Sequence, residues 1–274
     1  MSALPAAPPS ASAEATAPPG LVRTFLARIG ALCLIEIQRL RHDRSELYTR
    51  AIQPILWLVV FGQTFNRLHA IPTGNLPYID FLAPGVLAQS ALFISIFYGI
   101  QIIWERDAGI LAKLLVTPTP RTALISGKAF AAGVRAFSQV VIVLVVSALL
   151  GVALTTNPLK LAAAALAVWL ATAFFSCLSM SIAGIVLKRE RLMGIGQAIM
   201  MPLFFASNAL YPIALMPGWL QAIAKVNPLS YEVDALRGLL LGTPAHLALD
   251  FAVLAGSAVA GIVVAASLLD RLAR

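Results

Sequence analysis

Long apolar runs alternate with short charged segments along most of the chain. A helix needs about 20 apolar residues to cross ~30 Å of hydrocarbon, because it rises 1.5 Å per residue. Backbone groups in hydrocarbon must also form their hydrogen bonds within the span, which favours helices. The pattern therefore predicts an all-α polytopic membrane protein with six transmembrane helices: Ala51–Phe65, Phe81–Ile103, Ala129–Leu154, Leu161–Leu187, Met193–Leu215 and Leu247–Leu269. The first run is short, so we expect its helix to extend at one end.

The chain before the first span is amphipathic rather than uniformly apolar. One arc of its helical wheel, interrupted only by Glu36, holds eight side chains: Val22, Phe25, Leu26, Ile29, Leu32, Cys33, Ile37 and Leu40. Basic side chains lie off this arc, at Arg23, Arg28, Arg39 and Arg41. This arrangement predicts a helix in the plane of the membrane, whose arginines reach the lipid headgroups at the cytoplasmic surface.

A second amphipathic region precedes the last span. Residues 216–242 predict two short helices broken at Asn227–Pro228, and they are too apolar for an exposed loop. We expect a short external re-entrant helical pair that enters the outer leaflet. Asp80, Glu232, Asp234 and Arg237 are all placed outside, and the spacing of Asp234 and Arg237 favours a local ion pair.

These features divide the chain into three regions. Residues 1–20 are rich in Ala, Pro and Ser and are predicted to form a disordered tail. Residues 21–50 form the amphipathic interfacial helix and a charged connector, and residues 51–274 form the six-span transmembrane domain.

The basic residues define an orientation. Fifteen Lys and Arg fall on the side that holds both termini, against four on the other side, namely Arg67, Lys160, Lys225 and Arg237. Because short cytoplasmic loops carry the excess of Lys and Arg, both termini are predicted to be cytoplasmic.

The composition agrees with a membrane protein. The chain is 59% hydrophobic and 12% charged, with a mean hydropathy of +0.87, whereas a typical soluble protein is about 25% charged. The net charge of +8 does not indicate nucleic-acid binding, because the basic residues flank the spans. Cys33 and Cys177 are far apart and the histidines are scattered, so we expect no metal site. A Gly-rich P-loop is missing, and we therefore expect neither enzyme activity nor a cofactor on this chain.

The segment after the second predicted span is both charged and amphipathic. On a helical wheel, Glu105, Arg106 and Lys113 lie opposite an apolar arc made of Trp104, Ile110, Leu111, Leu114 and Leu115. This predicts one helix of about three turns. Pro118 and Pro120 end it, because proline cannot donate a helix hydrogen bond. Two interpretations stay open: a helix lying on the membrane surface, or a helix presented to a partner protein.

Two stretches resemble the type 2 ABC exporter permeases, and their daunorubicin-resistance-type branch most of all. One is WERDAGILAKLLVTPTPRTALISGK, with its acidic-basic-acidic residues, Leu-Leu pair, Thr-Pro and final Gly-Lys. The other is MPGWLQAIAKVNPLSYEVDALRGLLLG, together with the preceding PLFFASNALYPIAL. The resemblance covers about residues 39–274. It departs at Asn208, where relatives often carry Gly.

The resemblance implies the membrane-spanning subunit of a bacterial ABC exporter in the inner membrane. Two permease subunits, expected as a homodimer, would each bind an ABC ATPase subunit that carries ATP and Mg. In this family the loop after the second span docks on the ATPase, so the residues expected to couple ATPase to transport are Glu105, Arg106, Asp107, Gly109, Leu114 and Pro118. The branch favours efflux of a small amphiphile or drug-like substrate, and export of a polysaccharide or lipid is the alternative.

Uncharged polar residues occur at depth in the predicted spans. They are explained either by interhelical hydrogen bonds, worth ~0.6 kcal/mol each, or by a weakly polar substrate path. Gln89, Gln197 and Asn208 are the best candidates for the path, because an amide must find partners in hydrocarbon. Arg135 is interpreted as structural or partner-facing. Since spans four and five lack an acidic residue or His at mid-depth, an ion-coupled carrier is disfavoured; a membrane scaffold is the other alternative.

Overall fold

The computed structural model describes residues 21–42, 44–68, 71–74, 76–116 and 121–273. The predicted tail of residues 1–20 lies outside these ranges, as does Pro118. Within them every regular element is a helix, which confirms the all-α class. The α-helices are α1 (Leu21–His42), α2 (Arg44–Leu56), α3 (Gln63–Leu68), α4 (Tyr78–Asp107), α5 (Ile110–Val116), α6 (Arg121–Leu149), α7 (Pro158–Val186), α8 (Arg189–Phe205), α9 (Gly218–Val226), α10 (Pro228–Leu241) and α11 (Leu247–Ala273).

Four of these helices are long and apolar enough to cross a membrane. They are α4, α6, α7 and the part of α11 from Leu247 to Leu269. They overlap the second, third, fourth and sixth predicted spans. The described part of the chain is therefore all-α, with the helix lengths of a polytopic membrane protein.

The first and fifth predicted spans are helical but interrupted or short. A π-helical segment, Trp57–Gly62, joins α2 to α3, so that residues 44–68 are helical without a break. This segment follows Pro54, which lacks the N–H that a regular helix needs at that position. α8 has 17 residues and ends at Phe205 rather than at Leu215. The chain then turns before Pro212, which cannot continue a helix.

α4 is the central helix, buried along most of its length. Its glycines allow close packing: a Cβ on Gly99 would lie 2.5 Å from the carbonyl oxygen of Ser179 on α7. The Ser179 hydroxyl donates to the carbonyl of Ile96 at 2.8 Å, which fixes the two helices in register. Because α4 contacts most other helices of the bundle, it positions the residues described below.

α1 forms the predicted amphipathic helix but packs along α6. Ile29 and Leu32 cover Gly127, where an added Cβ would lie 3.8 Å from the Cα of Ile29. Glu36, on the same face of α1, forms an ion pair with Arg135 of α6. Two such contacts in the same chain order mean that the helices run in the same direction over ~10 Å. Glu36 interrupts the apolar arc in the sequence because it pairs with Arg135 on the face of α1 that packs against α6. This direction does not fit the in-plane position predicted for α1, because α6 is itself long enough to cross the membrane.

Candidate functional site

A cavity of about 570 Å³ lies beside the middle of α4 and α8. The two helices are antiparallel, because the end of α4 meets the start of α8 and the start of α4 meets the segment that follows α8. α2 and α6 complete the wall. The lining residues are Thr49, Gln53, Pro54, Ser90, Phe93, Ile94, Phe97, Gln139, Gln197 and Met201.

The cavity wall combines neutral polar groups with aromatic rings. Among its lining residues from the described ranges there is no charged side chain. Gln139 is 2% exposed, and neither end of its amide has a hydrogen-bond partner among the described residues. A buried amide without partners is costly, so Gln139 can both donate to and accept from a bound molecule. The wall thus suits a neutral molecule with polar and flat apolar parts.

The predicted substrate-path residues do not lie together. Gln197 lines the cavity. Gln89 precedes the lining residue Ser90 but is itself buried within the bundle and is not part of the wall. Asn208 lies beyond the end of α8, where its amide nitrogen donates to Asp234 at 2.5 Å. A substrate contact therefore stays a prediction for all three, and Gln197 has the most suitable position.

The predicted single helix after the second span is wrong. α4 ends at Asp107, and α5 begins at Ile110 after a turn in which Gly109 has a φ of +70°. Glycine adopts this left-handed conformation readily because glycine lacks a Cβ, and a residue in this conformation commonly ends a helix. The break also separates the predicted apolar arc: Leu111 is buried, whereas Trp104 and Ile110 are exposed.

The charged residues at the end of α4 contact other parts of the same chain. Glu105 forms an ion pair with Lys128 of α6 and accepts a hydrogen bond from Gln101 at 3.1 Å. Arg106 bonds Asp107 at 2.8 Å and donates to the carbonyl of Leu187 at 2.9 Å. Leu187 ends α7 in a left-handed conformation, so its carbonyl is free of the helix ladder. These contacts tie the end of α4 to α6 and to the α7–α8 turn.

Arg189 holds the start of α8 against the end of α4. Its guanidinium lies 3.3 Å from the Asp107 carboxylate, and its central carbon is 4.2 Å from the centroid of the Trp104 ring. We call these the Arg189 contacts. The side chains of Arg189 and Asp107 are 40% and 35% exposed, so water screens the charge pair.

A further ion pair joins α1 to α6, farther from the end of α4. Arg135 pairs with Glu36 and approaches the Tyr98 ring of α4 at 5.6 Å. Both charged side chains are buried. Arg135 lies seven residues beyond Lys128 on α6, and Tyr98 seven residues before Glu105 on α4. The two polar links are therefore ~10 Å apart along the helices. In the sequence, Glu36 interrupts the apolar arc and Arg135 is interpreted as structural or partner-facing; their opposite charges are the signal that could have paired them.

At the other end of α4, Arg237 of α10 is buried and satisfied by backbone oxygens. It donates to the carbonyl of Phe81 at 3.2 Å and to that of Asn208 at 2.6 Å, and its central carbon lies 3.6 Å from the centroid of the Phe81 ring. Asp234 accepts from Asn208. We call these contacts among Phe81, Asn208, Asp234 and Arg237 the Arg237 network. The prediction of an Asp234–Arg237 ion pair is wrong, because the guanidinium donates its hydrogen bonds to backbone carbonyl oxygens instead.

Some of the charged residues that were predicted to lie outside the membrane are not exposed to solvent. Asp80, Glu232 and Arg237 are all buried in the bundle. α10 packs on α4, α7 and α11, which covers its charged side chains. Burial raises the pKa of Asp234, against the opposing effect of the nearby Arg237 charge. The break between α9 and α10 falls at Asn227, as predicted.

The end of α8 is capped by side chains from outside the helix. Asn227 donates to the carbonyl of Leu203 at 2.7 Å, and the Tyr211 hydroxyl donates to that of Phe205 at 2.6 Å. Such donors are required because the last four carbonyls of a helix have no partner within it. The helical pair thereby holds the end of α8.

A metal-binding cluster of three or more His, Cys, Asp or Glu does not occur in the ranges that the structure describes. The candidate functional site is the cavity and its two ends.

Membrane-length helices around a neutral polar cavity are the architecture expected of a membrane permease. Residues 27–241 match the family described as ABC-2 type transporter. This chain belongs to that family, which confirms the resemblance drawn from its two motifs. Membership implies an ABC transporter system with an ATPase partner.

Several relatives have names that describe transport. A protein of Cyanophora paradoxa named as a transport permease, ycf38, is 32% identical over 205 residues, which cover 73% of this chain and 70% of the relative. The daunorubicin resistance ABC transporter permease protein DrrB1 of Streptomyces coeruleorubidus is 25% identical over 74% of this chain and 71% of its own. Nodulation protein J of Rhizobium meliloti is 26% identical over 80% and 83%, respectively. The role of a transport permease follows for this chain.

Proposed function

We propose that this chain is the membrane-spanning subunit of an ATP-driven exporter that moves a small, uncharged amphiphile outward. The cavity supports this best, because its wall offers amides and aromatic rings without a charge. The relative from Streptomyces that is named for daunorubicin resistance supports a drug-like substrate over a polysaccharide or lipid. Hydrolysis of ATP, with its Mg, belongs to the partner ATPase, so this chain is not itself an enzyme.

Six spans and two facing copies complete the proposal. The helical stretch 44–68 and α8 act as the first and fifth spans, and α9–α10 as the external re-entrant pair. Gln53 and Gln197 are exposed at the cavity, where lipid could not satisfy their amides. A second copy would cover them, together with the exposed apolar side chains nearby: Ile52, Leu56, Val60, Phe61, Met201 and Phe205. The substrate path then lies between the two copies. Lipid surrounds the dimer, and α1 contacts that lipid.

Coupling to the ATPase is assigned to the end of α4 and to α5. Glu105, Arg106, Asp107 and Gly109 form the turn between them, and Leu114 lies on α5. Lys113 is exposed there and available to a partner. A movement of α5 reaches the cavity directly, because α4 forms part of the cavity wall. The protein is assigned to the inner membrane of a bacterial cell with this face in the cytoplasm, and the excess of Lys and Arg on this side supports that orientation.

The test is purification of the tagged chain in mild detergent, with assays of ATPase activity and of transport in proteoliposomes. We expect an ATPase to copurify and transport to require ATP. Lys113→Glu should weaken the copurification, because it reverses an exposed charge. Glu105→Lys should impair coupling through Lys128, and the double variant Glu105→Lys with Lys128→Glu should restore it. If Glu105 contacts the ATPase directly, the double variant stays defective. Absence of any ATPase after cross-linking in the membrane would refute the proposal.

An ion-coupled carrier is the second candidate, because acidic side chains are buried in the bundle. Neither carboxylate oxygen of Glu232, nor the Oδ2 atom of Asp250, has a hydrogen-bond partner among the described residues. Buried acids of this kind often carry protons in carriers. Transport that survives ATP removal but stops when the proton gradient is dissipated would establish this alternative.

A further inference from the structure

We infer that Arg237 and Asn227 are positioning residues that hold the segment 206–212 across the outward end of the cavity. The inference rests on the proposed function, because the word outward depends on the proposed orientation. It assigns to the α9–α10 pair a role in keeping the cavity closed on the side opposite α5.

The segment lies directly beyond the cavity on both helices that form its wall. On α4, Gly85 contacts Ala209, and an added Cβ would lie 2.8 Å from the Ala209 carbonyl carbon. Gly85 is ~8 Å along the helix from the lining residue Ser90. On α8, the lining residue Met201 is about one turn from the helix end at Phe205. The hydroxyl of Tyr78 also donates to the carbonyl of Leu210, at 3.2 Å. The segment therefore spans from α8 to α4 at this end.

Arg237 links the segment to α4 through three backbone oxygens. It bonds Phe81 on α4 and Asn208 on the segment, and a third, longer contact of 3.4 Å reaches Ala209. A guanidinium donates from a planar fork and can reach several acceptors at once, whereas a lysine ammonium acts as a point charge. These donors are buried, so water cannot replace them while the network is intact.

Asn227 fixes the start of the same segment. Its side-chain nitrogen donates to Leu203 on α8 and, at 3.1 Å, to the carbonyl of Ala206. Its side-chain oxygen accepts from the backbone of Leu229, which caps the start of α10. One residue thus joins the end of α8 to the start of α10. A displacement of α10 is therefore expected to move the segment both at Ala206 and at Asn208–Ala209.

The consequence concerns exit from the cavity. If the segment closes the outward end, release of a substrate requires the Arg237 network to separate from α4 or the segment to separate from α8. Weakening either link should open the cavity from outside without any nucleotide. The α5 side of the bundle should stay as it was, because it shares no residue with these contacts.

The experiment measures access to a single cysteine in the cavity. Cys33→Ser and Cys177→Ala remove the native thiols, and Met201→Cys introduces the reporter on the cavity wall. A membrane-impermeant maleimide is added from either side of oriented vesicles. We expect Arg237→Lys and Asn227→Ala each to raise the rate of labelling from outside about tenfold, which corresponds to ~1.4 kcal/mol against the closed state. Lys225→Gln, which removes an exposed external cation of α9, is the matched control.

The outcomes separate this inference from the proposed function. Faster external labelling in both variants, with elution from size exclusion unchanged, supports the positioning role even if transport is never detected. Unchanged labelling in folded variants overturns it, whether or not transport is normal. If Arg237→Lys does not fold, Asn227→Ala decides. Should both variants unfold, or should only labelling from the α5 side increase, the contacts serve folding alone and the inference fails.

Discussion

The two ends of the α4–α8 pair use the same chemistry under different solvation. At one end, Arg189 lies over Trp104 and pairs with Asp107; at the other, Arg237 lies over Phe81 and bonds backbone carbonyls. The side chain of Arg189 is 40% exposed, whereas Arg237 is buried. An exposed cation–π contact or ion pair contributes ~0.5–1 kcal/mol, while breaking a desolvated contact leaves polar groups without partners and costs several times more.

This difference assigns different mechanical roles to the two ends. At the exposed end, the Arg189 contacts can exchange for water, so they resist a movement of α8 against α4 only weakly. At the buried end, water cannot replace the contacts of the Arg237 network, so this end stays closed until the network separates. The cavity thus lies between a compliant end and a firm end, an arrangement that suits the proposed exporter.

The largest effect is expected at the firm end. Gly85→Leu should prevent accumulation of folded protein, because a side chain there would collide with the backbone of Ala209 and overpacking alone costs about 1–3 kcal/mol or more. Gly256→Leu is the matched control, since no atom of the described residues lies near its Cβ position on α11. Fluorescence-detected size exclusion measures both. A monodisperse Gly85→Leu protein at normal level would show that the contact is loose.

A buried charge pair near the compliant end gives the next largest effect. Glu36→Ala or Arg135→Ala should each lower the free energy of unfolding by ~3 kcal/mol, because the remaining charge is left buried. The swapped variant Glu36→Arg with Arg135→Glu should recover part of that loss. Thermal unfolding in detergent checks this. Equal loss in single and swapped variants would contradict a direct pairing.

How much of this could be read from the sequence depends on the range of each interaction. The long apolar runs predicted the class and four spanning helices, since hydrophobicity is a property of a local window. The break at Gly109 was missed, because a wheel assumes a continuous helix. Arg237 was assigned to Asp234, its neighbour at i−3, whereas its acceptors lie 29 and 156 residues away. Glu36 and Arg135 were noted separately, because only packing brings α1 onto α6.

The pH dependence of stability should come from the firm end. Glu232 lies on α10, outside the four membrane-length helices, and complete burial raises its pKa well above the ordinary 4.5. The native state then holds a proton that the unfolded state loses first, so the free energy of unfolding falls as pH rises above 4.5. Glu232→Gln should flatten this decline and stabilise the protein most at pH 8. Glu190→Gln removes an exposed carboxyl and is the control. An unchanged slope in melting temperature between pH 5 and 8 would contradict the burial.

The smallest effect on stability is expected at the compliant end, and it is the most informative about the comparison. Arg189→Ala should change the free energy of unfolding by only ~0.5–1 kcal/mol, and high salt should reduce the difference because exposed charges are screened. Arg189→Lys keeps the charge but loses the planar stacking on Trp104, so it separates the two contributions. External labelling of Met201→Cys should be unaffected by either variant. If Arg189→Ala destabilised the protein as much as Arg135→Ala, the two ends would be equally firm and burial would not be what distinguishes them.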